Sequence, residues 1–132
     1  MATVLLVVKQ HGSSASEAEV RGHRLTMDRP QSKGGGDAGM MGGEALLSGL
    51  GGCFLSNLLA AARARDIALS NVKAEIAAEI EDGPSRFTEA TMTVSAQYPE
   101  GTDFQKLVTM AERGCIAANT LKTAIKLKIV VE

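Results

Sequence analysis

Leu46-Leu47-Ser48-Gly49-Leu50-Gly51-Gly52-Cys53-Phe54-Leu55-Ser56-Asn57-Leu58-Leu59-Ala60-Ala61-Ala62 carries no charge and decides the fold. At seventeen residues it falls just short of a membrane span, and its serines, asparagine and three glycines suit lipid poorly. The stretch therefore predicts a helix buried inside protein, apolar nearly all round and in need of neighbours on most sides. Gly49, Gly52, Cys53, Ser56 and Ala60 recur at helical spacing and make a stripe of small residues where a second helix can approach closely. That helix is expected to come partly from a second copy of the chain, giving a homodimer. Glu44 stands in the first turn, where a carboxylate suits the positive end of the helix dipole. Arg63 and Arg65 place positive charge at the other end, near Asp66.

Upstream, Thr3 to Lys9 reads as a strand and His11 to Ser16 as a turn. A second strand is expected from Glu17 to Asp28, with a bulge near Gly22 where its apolar phase changes parity. Arg29 to Gly43 reads as a loop, since Pro30 and Lys33-Gly34-Gly35-Gly36-Asp37 exclude regular structure. Downstream, Val72, Ala74, Ile76, Ala78 and Ile80 alternate with polar residues, as do Ala90, Met92, Val94, Ala96 and Tyr98. With Asp82-Gly83-Pro84-Ser85 between them, these segments predict a hairpin.

A second helix is expected from near Asp103, with Phe104, Leu107, Val108, Ala111 and Cys115 on its buried face. A break at Asn119 and Thr120 and a closing strand through Ile125, Leu127, Ile129 and Val131 complete the chain. The order β-β-α-β-β-α-β, mostly antiparallel, gives an α+β class in a single domain over residues 1–132.

Composition narrows the function. The 132 residues hold 14 Lys and Arg against 15 Asp and Glu, a formal net charge of -1. That gives no basic excess for nucleic acid. Three Phe and one Tyr are too few for a base-stacking platform. The N-terminal run lacks a basic leader and a small-residue cleavage site, so no signal peptide and a cytoplasmic location are expected. Cys53 and Cys115 stand sixty-two positions apart, in no metal-ligand spacing. No structural metal is expected, and the default is two reduced thiols. His11 and His23 lie in polar contexts and read as solvated.

Cysteine reactivity depends on the thiolate. Cys53 lies about three turns inside its helix, too deep for that helix's own N-terminus to activate it, so help must come from elsewhere in the fold. By spacing alone both cysteines read as small core residues. Their surroundings say more. Gly43-Glu44-Ala45-Leu46-Leu47-Ser48-Gly49-Leu50-Gly51-Gly52-Cys53 resembles the first cysteine motif of the OsmC/Ohr superfamily, the osmotically inducible and organic hydroperoxide resistance proteins. Glu112-Arg113-Gly114-Cys115-Ile116-Ala117-Ala118-Asn119-Thr120-Leu121-Lys122 resembles the second, and Asp28-Arg29-Pro30 with Gly34-Gly35-Gly36-Asp37 resembles a loop of OsmC-like members.

The resemblance implies an OsmC-like fold, an intertwined homodimer with sheets wrapped around central cysteine-bearing helices. It implies that Cys53 is a peroxidatic thiolate that reduces an organic, lipid-type hydroperoxide to an alcohol and becomes a sulfenic acid. Cys115 would resolve it to a disulfide, which an external dithiol reduces, with no further cofactor. An arginine paired with a glutamate supports the thiolate in this superfamily. The glutamate lies ten positions before the cysteine; here Gly43 holds that place and Glu44 lies nine before. Glu44 is the candidate carboxylate, and Arg24 and Arg29 are the candidate arginines. The readings from other classes are a non-catalytic dimer binding a small apolar or thiol ligand, and a redox sensor.

Overall fold

The computed structural model describes residues 1–123 and 126–131. The chain forms two compact units, Met1–Ser48 and Gly49–Glu132. In the first, β1 (Val7–His11), β2 (Ala15–Val20) and β3 (His23–Met27) make an antiparallel sheet in chain order. The segment expected as one bulged strand from Glu17 to Asp28 is thus two strands. Arg21 and Gly22 both take positive φ, 52° and 82°, forming the two-residue turn whose twist matches a hairpin. The parity change is a reversal of chain direction. Strand β1 also begins four residues later than its apolar run suggests, leaving Val4, Leu5 and Leu6 exposed outside any strand.

The segment after β3 contains a one-turn 3-10 helix, Gln31–Lys33, correcting the expectation that it holds no regular structure. Pro30 O accepts the Lys33 N–H at 2.9 Å, and Gly34, with φ of 86°, closes the turn. The buried Asp28 organises this loop. Its Oδ1 accepts the Arg29 N–H at 2.7 Å, and its Oδ2 accepts the Gly36 and Ala38 N–H groups at 3.1 and 3.2 Å. Burial pushes the carboxyl pKa up. The donors from Ala38, the Ser14 side chain, Arg29 and Gly36 outweigh it and hold the pKa below its ordinary value. A Cβ at Gly39 would stand 2.2 Å from Thr26 O, so only glycine fits there.

Helix α1 (Gly42–Ala64) runs across the division between the units. Its 23 residues make it longer than its uncharged stretch, and by length and composition it could cross a bilayer. In the second unit its Leu50, Phe54, Leu58 and Ala62, spaced four apart, instead join one apolar core with Leu107, Ala111, Cys115 and Ala118. Leu58 is completely buried, a burial that stabilises by about 1.5–3 kcal/mol. The opposite face, with Gly49, Gly52, Ser56 and Ala60, is exposed. Within the second unit, the described residues cover the Leu50–Phe54–Leu58–Ala62 side of this helix.

Strands β4 (Ser70–Glu81) and β5 (Arg86–Gln97) form the expected hairpin, with Ala74 opposite Val94, Ile76 opposite Met92 and Ala78 opposite Ala90. Val72, Ile76, Met92 and Val94 of this alternation pack against the core, with Ile76 close on the bare Gly51 of α1, whereas Ile80, expected on the same face, is exposed near the end of the hairpin.

Helices α2 (Phe104–Gly114) and α3 (Ile116–Lys122) follow. Asp103 caps α2 by accepting the Lys106 N–H at 3.1 Å. The helix break falls at Cys115, not at Asn119 and Thr120. Extended backbone at Cys115, φ -82° and ψ 110°, ends one helix and starts the next. Asn119 staples this corner, donating from Nδ2 to Arg113 O at 3.1 Å. Of the expected closing strand, Leu127, Ile129 and Val131 are exposed and outside any strand, and Ile125 lies outside the described residues. The α+β class stands, with the order β-β-β-α-β-β-α-α among the described residues.

Candidate functional site

Both cysteines lie in the second unit. Cys53 is half-buried on α1, and Cys115 is fully buried at the α2–α3 corner; both are free. The Cys115 position follows from its place on the apolar face of α2, directly after the buried Leu107 and Ala111 at four-residue spacing. The corner turns the chain there, so the first turn of α3 presents unpaired backbone N–H groups toward the two sulfurs. Cys115 Sγ accepts the Ala118 N–H at 3.4 Å.

These groups separate the two thiols chemically. The Ala117 N–H lowers the Cys53 pKa most strongly, burial opposes it, and the Cys115 thiol and the Ile116 N–H lower it further. The net result holds Cys53 below an ordinary cysteine. Burial pushes Cys115 up, the Ala118 N–H acts against it, and the neighbouring Cys53 raises it again. The two thiols are thus shifted in opposite directions, Cys53 down and Cys115 up.

The donors that lower the Cys53 pKa lie outside its own helix, at the start of α3. The amides of Ile116 and Ala117 escaped the sequence reading because backbone donors have no side-chain signature. Their one visible signal was Gly114 beside Cys115, a residue type that favours ending a helix. Asn57, also not singled out, donates from Nδ2 to Cys53 O at 3.2 Å.

The other candidates belong to the first unit. Glu44 accepts the Met41 N–H at 2.8 Å, closing the start of α1 as the far arm of a capping box does. Arg24 faces Glu17 and Glu19 at 3.8 and 3.9 Å on its own sheet. Arg29 is exposed and lends its backbone to the Asp28 loop, donating to Asp28 and accepting the Asp37 N–H at 3.0 Å. Among the described residues, Glu44 pairs with neither arginine. Also among the described residues, no three His, Cys, Asp or Glu side chains gather as a metal site would need.

A cavity of about 330 Å³ opens in the second unit, lined by Leu50 and Phe54, which flank Cys53 in sequence, and by Met92, Val94, Ala118 and Leu121. Its lining is predominantly apolar, with the Glu112–Lys122 ion pair at its margin.

A profile of the OsmC-like protein family matches residues 34–130. Among solved structures, an OsmC like protein from Mycoplasma pneumoniae is similar with a TM-score of 0.79 and 21% identity, over 92% of this chain and 88% of that one. The organic hydroperoxide resistance protein OsmC from Legionella pneumophila is similar at 0.60 and 20%, over 90% and 88%. The organic hydroperoxide resistance protein OhrB of Bacillus subtilis follows at 0.57 and 16%, over 89% of each chain. At such identities the likeness is one of fold. Among curated proteins no sequence matches. The family profile spans well over half of the sequence and includes both cysteine motifs: this chain belongs to the OsmC-like protein family.

Proposed function

We propose that the protein is a thiol-dependent peroxidase that reduces organic, lipid-type hydroperoxides to alcohols in stress defence. The observation that carries this reading is the asymmetric thiol pair, Cys53 lowered by the Ala117 and Ile116 amides with the Cys115 thiol beside it. Cys53 thiolate attacks the distal peroxide oxygen, the O–O bond breaks, and the alcohol leaves with a proton as Cys53 becomes a sulfenic acid. Cys115 then condenses with it, and an external dithiol of the cytoplasm returns both thiols without metal or organic cofactor. The apolar cavity beside Leu50 and Phe54 suits a hydrocarbon substituent. Glu44 and either Arg29 or Arg24 complete the charge environment in the assembled protein.

That assembly is a homodimer. The chain exposes 10162 Å², whereas a folded monomer of 13.8 kDa exposes about 6,600 Å², and two separate units of these sizes about 7,900 Å². The surplus exceeds the roughly 800 Å² per partner of a standard interface and suits an obligate one. Val4, Leu5, Ile129 and Val131, each more than three-quarters exposed, are the side chains a second copy would cover. The deciding experiment is consumption of cumene hydroperoxide in the presence of a dithiol. The wild type should turn over repeatedly and Cys53→Ser not at all; equal rates would overturn the assignment.

A further inference from the structure

Asn57 lies one turn beyond Cys53 on α1, and side chains in a helix lean back over the preceding turn. Its Nδ2 donates to the Cys53 carbonyl at 3.2 Å. The other side of the same amide faces the α2–α3 corner: Oδ1 and Cγ lie 3.7 and 3.8 Å from the place a Cβ on Gly114 would occupy. One half-buried amide thus spans from the backbone of one cysteine to the residue preceding the other.

The corner it meets is internally braced. Asn119 Nδ2 holds Arg113 O at 3.1 Å, the Cys115 N–H donates to Glu112 O at 3.2 Å, and the Asn119 N–H donates to Cys115 O at 2.9 Å. A corner tied together in this way shifts as a body. Whatever sets its distance from α1 also sets the approach of Cys115, and of the Ile116 and Ala117 amides, to Cys53.

We propose that Asn57 is the positioning residue of the thiol pair, setting the spacing between α1 and the Gly114–Cys115 corner. The inference deepens the peroxidase reading and rests on it for the chemistry of turnover. In the step concerned, the Cys115 sulfur attacks the Cys53 sulfenic acid. An S–S bond forms, the S–O bond breaks, and the hydroxyl leaves with the thiol proton as water. The oxidising equivalents come from the hydroperoxide already consumed. If the corner stands away, the sulfenic acid survives to meet a second hydroperoxide, takes its distal oxygen to become sulfinic acid, and releases a second alcohol.

Two substitutions separate the parts of this role. Asn57→Leu keeps the bulk and removes the amide. Asn57→Ser keeps a donor for the Cys53 carbonyl, as serine commonly bonds four residues back, but withdraws from the corner. Each is compared with wild type in disulfide formation under diamide, which couples neighbouring thiols without any peroxidase chemistry, and in sulfinate yield under cumene hydroperoxide. Both variants should pair their cysteines up to about a hundredfold more slowly, the penalty a displacement near 1 Å can carry. Both should also titrate Cys53 at higher pH, a readout that loss of stability alone does not move.

Wild-type pairing rates and an unchanged Cys53 titration in both variants would overturn the proposal. So would a defect in Asn57→Leu that Asn57→Ser lacks, since the corner contact would then be irrelevant. If wild-type Cys53 is inert to the hydroperoxide yet pairs under diamide, the peroxidase reading fails while the diamide comparison still decides on Asn57.

Discussion

Cys115 adjoins Cys53 closely enough for each thiol to shift the other's ionisation, while the Cys115 sulfur accepts the Ala118 N–H at 3.4 Å. The two cysteines are thus neighbours with opposite tendencies. Replacing Cys115 with Ser should leave the first attack on cumene hydroperoxide intact and stop the chain at oxidised Cys53. Mass spectrometry after one equivalent of oxidant should show sulfenic acid in place of an intramolecular disulfide, and sulfinic acid once a second equivalent is added. Disulfide-level resolution in that variant without added thiol would contradict the role of Cys115.

The pH dependence follows from the direction of each shift. Cys53 has a folded-state pKa below its unfolded value, so the stability tied to its ionisation is present above the unfolded pKa. It disappears as pH falls through the folded one. Cys115, raised in the folded state, contributes stability below its unfolded pKa and loses it as pH rises through the folded one. Thiolate absorbance of Cys115→Ser, which isolates Cys53, should therefore show a midpoint below that of the same thiol in the unfolded chain. A midpoint at or above that value would leave Cys53 an ordinary packing residue.

The core admits a direct test. Leu58 is fully buried among Phe54, Leu107 and the other core residues, so Leu58→Ala should cost about 2–5 kcal/mol in urea unfolding. A loss below about 1 kcal/mol would mean that α1 packs elsewhere.

The small-residue stripe gives a prediction about assembly. A side chain at Gly52 would meet nothing within 4 Å in one copy of the chain. Gly52→Phe should therefore preserve helical circular dichroism while light scattering shows the dimer dissociating. An unaltered dimer would place the interface on another face.

In the loop, a Cβ at Gly39 would fall 2.2 Å from Thr26 O. Gly39→Ala should destabilise by about 1–3 kcal/mol, the usual cost of forcing atoms into a filled space. An unchanged thermal midpoint would mean that the loop holds a different conformation.

Periodicity made much of this fold legible. The alternation from Val72 to Ile80 found β4, and the spacing of Leu107, Ala111 and Cys115 found the buried face of α2. Both signals come directly from which side chains face the core. Reversals of the chain were harder. Arg21-Gly22 turns β2 into β3, but an arginine in left-handed backbone announces itself far less than an Asn-Gly pair would, so the hairpin read as a bulge. The break at Cys115 was hidden because the apolar spacing continues to the very residue where helical hydrogen bonding stops. At the site, the pairing of the cysteines followed the family resemblance. The donors around Cys53 are backbone groups of a corner the sequence did not predict, and Glu44 is occupied with the Met41 N–H at the start of α1.

The corner at Cys115 also matters for the topology of the unfolded chain. A covalent bond between residues sixty-two positions apart closes nearly half of the sequence into a ring. The lost chain entropy of such a ring corresponds to about 4 kcal/mol. Each oxidation would thus clamp the polypeptide as well as consume a reactant, making the spent form the harder of the two to unfold. Reduction of that bond would return the protein to its more fragile state.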